Sequence, residues 1–231
     1  MKLGIMQPYF LPYIGYFQLI KAVDKYVIYD DVNYIKGGWI NRNNILVNKN
    51  KNLFTIMLKD ASSNKLINEI EICDNFKKIK KTIEMNYKKA PFYDDVYLLL
   101  ERIFSYDNKN LAKFIANSIV EISKYLNIDT EILISSEINK DNSLKAQDKV
   151  IDICKNLGAN MYINAIGGQD LYNYDDFERN GITLNFIKTN EIKYKQFDND
   201  FIPFLSIIDV LMFNSIEDVN KLLDDYELIG K

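Results

Sequence analysis

Short apolar runs alternate with helix-like patterns in this chain, and that alternation narrows the folds open to it more than any other feature. Lys2–Met6, YVIY at 26–29, EILISS at 131–136, MYINAI at 161–166 and ITLNFIK at 182–188 each have the length of a buried strand. After the first run, Pro12 suits the first turn of a helix from about Tyr13 to Val23. KAQDKVIDICKNLG and the stretch near YDDFERNG supply later helices. A strand, helix and strand of this spacing close most simply as a right-handed unit with parallel strands. The expected fold is therefore α/β, with a mostly parallel, Rossmann-like sheet.

The alternation is interrupted once. After the polar loop DDVNYIKGGWINRNN come two candidate strands, ILVN and LFTIML, with NKNKN between them as a hairpin tip. Residues 75–126 then read as helical. FKKIKKTIEMNYKKA carries apolar residues at 76, 79, 83 and 87, Pro91 breaks the chain before DDVYLLLERIF, and LAKFIANSIVEISKYL follows. The expected organisation is a single domain over residues 1–231, with 75–126 as an inserted helical lobe. LSIIDVLMF and an acidic helix, IEDVNKLLDDYELI, complete the tail.

Composition removes much chemistry. The 231 residues include no histidine, so histidine bases, triads and histidine metal ligands are excluded. Only Cys73 and Cys154 are present, too few for a zinc cluster and unpromising as a disulfide framework. Cys154 falls on the apolar face of its helix, and neither thiol is read as a nucleophile. A net charge of -3 gives no general attraction to nucleic acid. No apolar run approaches the roughly 20 residues that cross a bilayer, and the start lacks a signal-peptide pattern, so the expectation is a cytoplasmic protein. Catalysis would rest on carboxylates, lysine, tyrosine, serine, backbone dipoles or a hard cation held by oxygen. The lysines at 77, 78, 80 and 81 read as a solvated helix face.

Ligands of open parallel sheets bind beyond the carboxyl ends of the strands. QPYFLPYIGY and DDVNYIKGGWINR both leave strands at that edge. The first offers Gln7 as an amide ligand, and Tyr13, Gly15 and Tyr16 at a helix N-terminus that favours anions. The second offers Asp30 and Asp31 as candidate catalytic carboxylates, only one of which faces the site because adjacent strand side chains diverge. Asn33, Lys36, Trp39, Asn41 and Arg42 follow as candidate substrate contacts. Ser135, Ser136 and Lys145 could hold phosphate oxygens after a later strand. Asn164, Gly167 and Gln169 follow another, where a Gly-Gly turn directs N–H groups at an anion. The structural alternatives are turn caps for the aspartates, partly buried core for Trp39, and a tight turn for the glycines. No residues are assigned to a metal.

IMQPYFLPYIGYFQLI, VIYDDVNYIKGGWINRNNIL, LISSEI, YINAIGG and FLSIIDVLMFNS, taken in order, resemble the WbqC-like protein family over nearly the whole chain. Members of that family commonly occur among bacterial genes for O-antigen and other surface polysaccharides. The resemblance implies a transferase acting on a nucleotide-linked amino sugar, by acyl or aminoacyl transfer that forms an amide. Its partner is then a nucleotide-sugar substrate, with self-association left open. A looser similarity links YIGY and ISSE to the nucleotidyltransferase-like superfamily, in which H-x-G-H stands where this chain has Tyr13-Ile14-Gly15-Tyr16. It ranks ATP-dependent nucleotidyl transfer or adenylation, with ATP and magnesium, as the alternative; no other cofactor is expected. A non-catalytic subunit of a glycosyltransferase complex is the third reading.

Overall fold

The computed structural model describes residues 1–198 and 200–231. Its centre is a six-stranded sheet. Strand β1 (Lys2–Met6) leads through helix α1 (Ile14–Lys21) to β2 (Lys25–Ile28). The chain then makes the hairpin β3 (Arg42–Val47) and β4 (Asn50–Thr55), and the short pair β5 (Leu58–Lys59) and β6 (Glu71–Ile72). Helices α2 (Lys77–Tyr87), α3 (Tyr93–Phe104) and α4 (Leu111–Tyr125) come next. The sheet resumes with β7 (Glu131–Ile134), α5 (Ala146–Asn156), β8 (Met161–Ala165), α6 (Tyr174–Arg179) and β9 (Thr183–Thr189). Helices α7 (Ile207–Phe213) and α8 (Ile216–Leu223) precede the last strand, β10 (Tyr226–Ile229).

The strand order is β10-β9-β8-β1-β2-β7, parallel except for the antiparallel β10. Numbered along the chain, the five parallel strands lie as third, second, first, fourth and fifth when read from β7 with β8 and β9 last, so the winding starts at the centre and runs outward in both directions. The direction of winding reverses between β1 and β8, and the ends of those two strands diverge into a crevice, as in other doubly wound sheets.

Side-chain alternation divides the strands between two apolar cores. Leu3, Ile5, Val27, Tyr162, Leu184 and Phe186 face α5 and α6, with Val150, Ile153, Cys154 and Phe177. Tyr26, Ile28, Ile163 and Ile187 face the larger core, shared by α1, the three inserted helices, α7 and α8. Gly4 lies beneath α1. A Cβ there would stand 3.1 Å from the Tyr26 ring and 3.4 Å from Leu19, so glycine lets the helix approach the sheet closely.

Three elements differ from the sequence expectation. Helix α1 begins at Ile14 with Tyr13 as its N-cap residue, which leaves Pro12 outside; the Pro12 carbonyl accepts a hydrogen bond from Ile207 N–H. The hairpin turns at Asn48 and Lys49 alone, both with positive φ, as a two-residue turn matched to strand twist requires; the candidate strand LFTIML is divided between β4 and β5. The tail helix stops at Leu223, and YELI becomes a strand. There Tyr226–Ile229 pairs with Phe186–Thr189 and covers a sheet edge that would otherwise be open.

Candidate functional site

Beyond the strand ends, the corner Gln7–Tyr13 and the loop 32–41 are joined by one backbone hydrogen bond, from Phe10 N–H to the Ile40 carbonyl. Together they enclose a pocket of about 310 Å³ at the crevice, lined by Gln7, Tyr9, Tyr13, Gly15, Tyr16, Ile35, Trp39 and, from the end of β8, Ala165. The Tyr16 hydroxyl donates to the Gln7 carbonyl at 3.0 Å and fixes the corner. Tyr9 and Trp39 pack 6.3 Å apart at 38° and form an aromatic wall. The Arg42 guanidinium lies over the Trp39 ring, 5.4 Å from its centre. Trp39 keeps half of its surface exposed, and buried Arg42 Nε has no hydrogen-bond partner among the described residues. Burial, reinforced by Tyr13, pushes the Tyr9 phenol well above its ordinary value against the opposing pull of Arg42. Lys36 is exposed outside this pocket.

The adjacent aspartates part company, as strand geometry requires. Asp30 is buried and ties the end of β2 to the turn after β7. Its Oδ1 accepts from Ser136 N–H at 2.9 Å, and its Oδ2 from the Ser136 hydroxyl at 2.6 Å and Asn68 Nδ2 at 3.2 Å. Asp31 lines a separate cleft of about 620 Å³ with Tyr29, Asn33, Ser136, Lys145 and Lys149. Its Oδ2 meets Lys149 Nζ at 2.9 Å and Lys140 Nζ at 3.0 Å. Burial works against its ionisation. The Ser135 hydroxyl, close by without closing a hydrogen bond, and the two ammonium groups outweigh burial and hold the carboxyl below the ordinary 3.8. Lys149 also lies over the Tyr29 ring, and burial, with Asp31 nearby, pushes that phenol up. Asn33 holds the cleft wall by donating to the Ser63 carbonyl at 2.8 Å.

A third cavity, of about 400 Å³, opens at the end of β9. Tyr13, Ile14, Ile192, Tyr194, Phe201 and Leu205 line it, so Tyr13 is a wall of two cavities.

The remaining expected contacts lie apart. Buried Asn41 donates to the Ile56 carbonyl and accepts from the Tyr34 hydroxyl at 2.9 Å. Buried Asn164 donates to the Ile5 carbonyl at 3.3 Å and to the Tyr172 hydroxyl at 3.2 Å. Gly167 and Gln169 line none of these three cavities. Sequence reasoning missed Lys140 and Lys149. Lys149 had a signal, because it lies one turn after Lys145 on the same helix face; Lys140, in an irregular loop, had none. Tyr9 was visible only as part of an aromatic corner.

A doubly wound α/β protein with an aromatic pocket at its topological switch point is the class that this fold and site define. The family model of the WbqC-like protein family matches residues 7–221, and the chain belongs to that family. Among curated proteins, it is similar to the uncharacterized protein Rv1507c of Mycobacterium tuberculosis, with 27% identity over 218 residues covering 92% of this chain and 93% of the relative. No solved structure matches the chain. Among the described residues, no helix is long and apolar enough to cross a membrane.

Proposed function

We propose that this protein is a transferase of bacterial surface-polysaccharide biosynthesis, which forms an amide by acyl or aminoacyl transfer to the amine of a nucleotide-linked amino sugar. One observation carries the reading: the crevice pocket, with Tyr9 and Trp39 as its wall and Arg42 over the indole. Aromatic faces with a few convergent polar groups suit a base or sugar ring. A guanidinium packed on the Trp39 wall, though not itself part of the pocket lining, suits the paired oxygens of a diphosphate. Membership of the WbqC-like family supports the setting.

The carboxylate role falls to Asp31, since both oxygens of Asp30 are engaged inside the fold. A carboxyl held below its ordinary pKa is a weak base. Asp31 therefore orients the donor on its side of loop 32–39 rather than acting as the base: the sugar amine attacks the acyl carbon, the bond from that carbon to the leaving group breaks, and the amine proton departs with the leaving group. Loop 32–39 contributes to both the crevice pocket and the Asp31 cleft, so two substrates can approach from its two sides.

Trp39 is the only tryptophan, so its emission reports the pocket directly. Titration with uridine-, guanosine- and thymidine-diphosphate amino sugars should change that emission saturably. Mass spectrometry should then detect an acyl or aminoacyl addition to the sugar nitrogen when donors are supplied. If no sugar nucleotide alters Trp39 emission or is retained by the protein, the reading fails.

A further inference from the structure

The crevice pocket, at about 310 Å³, lies at the small end of the roughly 300–1,000 Å³ that enclose a drug-sized ligand. It suits one ring, whereas a nucleotide-linked sugar carries a base and a sugar on the two sides of its diphosphate. The cavity of about 400 Å³ at the end of β9 adjoins it, with Tyr13 as a wall of both. Ile192, Tyr194, Phe201, Phe204 and Leu205 give this second cavity a largely apolar lining. Tyr194 and Phe201 meet edge to face there, 5.0 Å apart at 76°.

Two features of the β9 cavity have no role in holding the fold. Phe204, on its wall, is 75% exposed and has a left-handed backbone, φ 59°, which a bulky side chain disfavours. The backbone N–H and C=O groups of residues 191–194 form no hydrogen bond among the described residues, because pairing with β10 ends at Thr189 and Tyr226. Side chains fix this strap instead. The Tyr194 hydroxyl donates to Asp209 Oδ1 at 2.6 Å, and Gln196 exchanges hydrogen bonds with the backbone of Ile202. The cavity is thus preformed, with aromatic faces beside unpaired backbone donors and acceptors. A planar heterocycle needs both, a face to stack on and partners for its polar edge.

The place of the reacting amine decides which ring lies where. With the donor on the Asp31 side of loop 32–39, the amine has to lie in the crevice pocket, which the same loop walls. The nucleotide end then leads away from the loop and past Tyr13. We propose that the β9 cavity is the base subsite of the sugar nucleotide, where the heterocycle stacks on Phe204, and that the amino sugar lies in the crevice pocket against Tyr9 and Trp39. This rests on the transferase reading and assigns each half of its acceptor to one cavity.

Calorimetry and Trp39 emission of the intact protein test it, with uridine, thymidine and guanosine diphosphates set against the corresponding diphosphate amino sugars. At least one nucleoside diphosphate should bind and leave Trp39 emission near that of the free protein. Its amino-sugar conjugate should bind and shift the emission. Phe204→Ala should weaken both by about tenfold, the scale of one lost base–aromatic stack, and Phe204→Tyr should retain them. The Phe204 ring is exposed, so Phe204→Ala should keep the wild-type urea midpoint, which separates lost binding from lost folding. A nucleoside diphosphate that shifts Trp39 emission as far as its conjugate does would put the base in the crevice pocket and overturn the proposal. Wild-type affinity in Phe204→Ala would overturn it too, as would conjugates that bind while no nucleoside diphosphate does at millimolar concentration. The transferase reading fails separately, when no sugar nucleotide is retained or moves Trp39.

Discussion

The phenol ring of Tyr13 folds back across the backbone of Gly15, so closely that a Cβ at Gly15 would overlap the ring and its hydroxyl. Glycine here makes room for a side chain of the same turn, and that side chain separates the crevice pocket from the cavity at the end of β9. Gly15→Ala should therefore displace the Tyr13 ring and join the two cavities. The helix itself should tolerate alanine, which is the better helix former by about 1 kcal/mol. The expected result is a melting temperature close to wild type with sugar-nucleotide affinity reduced by about tenfold, the effect of a wall out of position. Unchanged Trp39 titrations in Gly15→Ala would show that the Tyr13 wall has no part in binding.

Asp30 should behave as a structural residue. Removing a buried carboxylate that accepts from Ser136 N–H, the Ser136 hydroxyl and Asn68 leaves donors unpaired in the interior. Asp30→Ala should cost about 2–4 kcal/mol in urea denaturation. The folded fraction should still bind sugar nucleotide with wild-type affinity, because Asp30 lies outside the crevice pocket. Wild-type stability in Asp30→Ala would mean that the tie between β2 and β7 is not formed.

The sheet was legible in the sequence because strands buried on both faces announce themselves as apolar runs, and the first, third and fourth of the five runs had a helix-length pattern after them. The site was legible only by edge. Two adjacent aspartates at a strand end look alike in sequence. Only the turn after β7 decides that Asp30 is capped by Ser136 and that Asp31 is left to the lysines. Asn41 and Asn164 illustrate a second limit. An amide at a strand end serves a ligand or an orphan carbonyl equally well, and here both serve carbonyls, those of Ile56 and Ile5. The β9 cavity was invisible because residues 190–206 carry no period that marks an apolar wall. YELI reads as helix in sequence because the demand for a strand there, the open edge of β9, exists only in the folded sheet.

The two thiols should differ in reactivity. Cys73 is exposed, whereas Cys154 is buried between α5 and the sheet, where burial pushes its thiol up to about 12. A thiol reagent acts on the thiolate. At pH 8 the native protein should therefore release one equivalent of chromophore from a disulfide reagent, and the unfolded chain two. Cys73→Ser should abolish the fast equivalent. Two fast equivalents in the native protein would place Cys154 in contact with solvent.

Asp209 should give stability a pH dependence of unusual sign for an aspartate. It is fully buried at the start of α7. Oδ1 accepts from the Tyr194 hydroxyl and Gln196 Nε2, both at 2.6 Å, and Oδ2 from the Tyr87 hydroxyl at 2.8 Å. Among the described residues it has no cationic partner. Burial raises its carboxyl above the ordinary 3.8, and the hydrogen bonds from Tyr194, Tyr87 and Gln196 offset this only in part. The folded state thus holds the proton more tightly than the unfolded chain does. Its contribution is fully present below pH 3.8 and is lost as pH rises through the raised folded value. Within that window wild type should lose stability relative to Asp209→Asn at about 1.4 kcal/mol per pH unit. Asp31, held below 3.8, acts in reverse: its contribution is present above 3.8 and is lost as pH falls through its lower folded value. Urea denaturation of wild type and Asp209→Asn at half-unit steps from about pH 4 to 7 isolates the Asp209 limb, because Asp31 is common to both proteins. A stability difference that stays constant with pH would show that Asp209 titrates alike in the folded and unfolded chains.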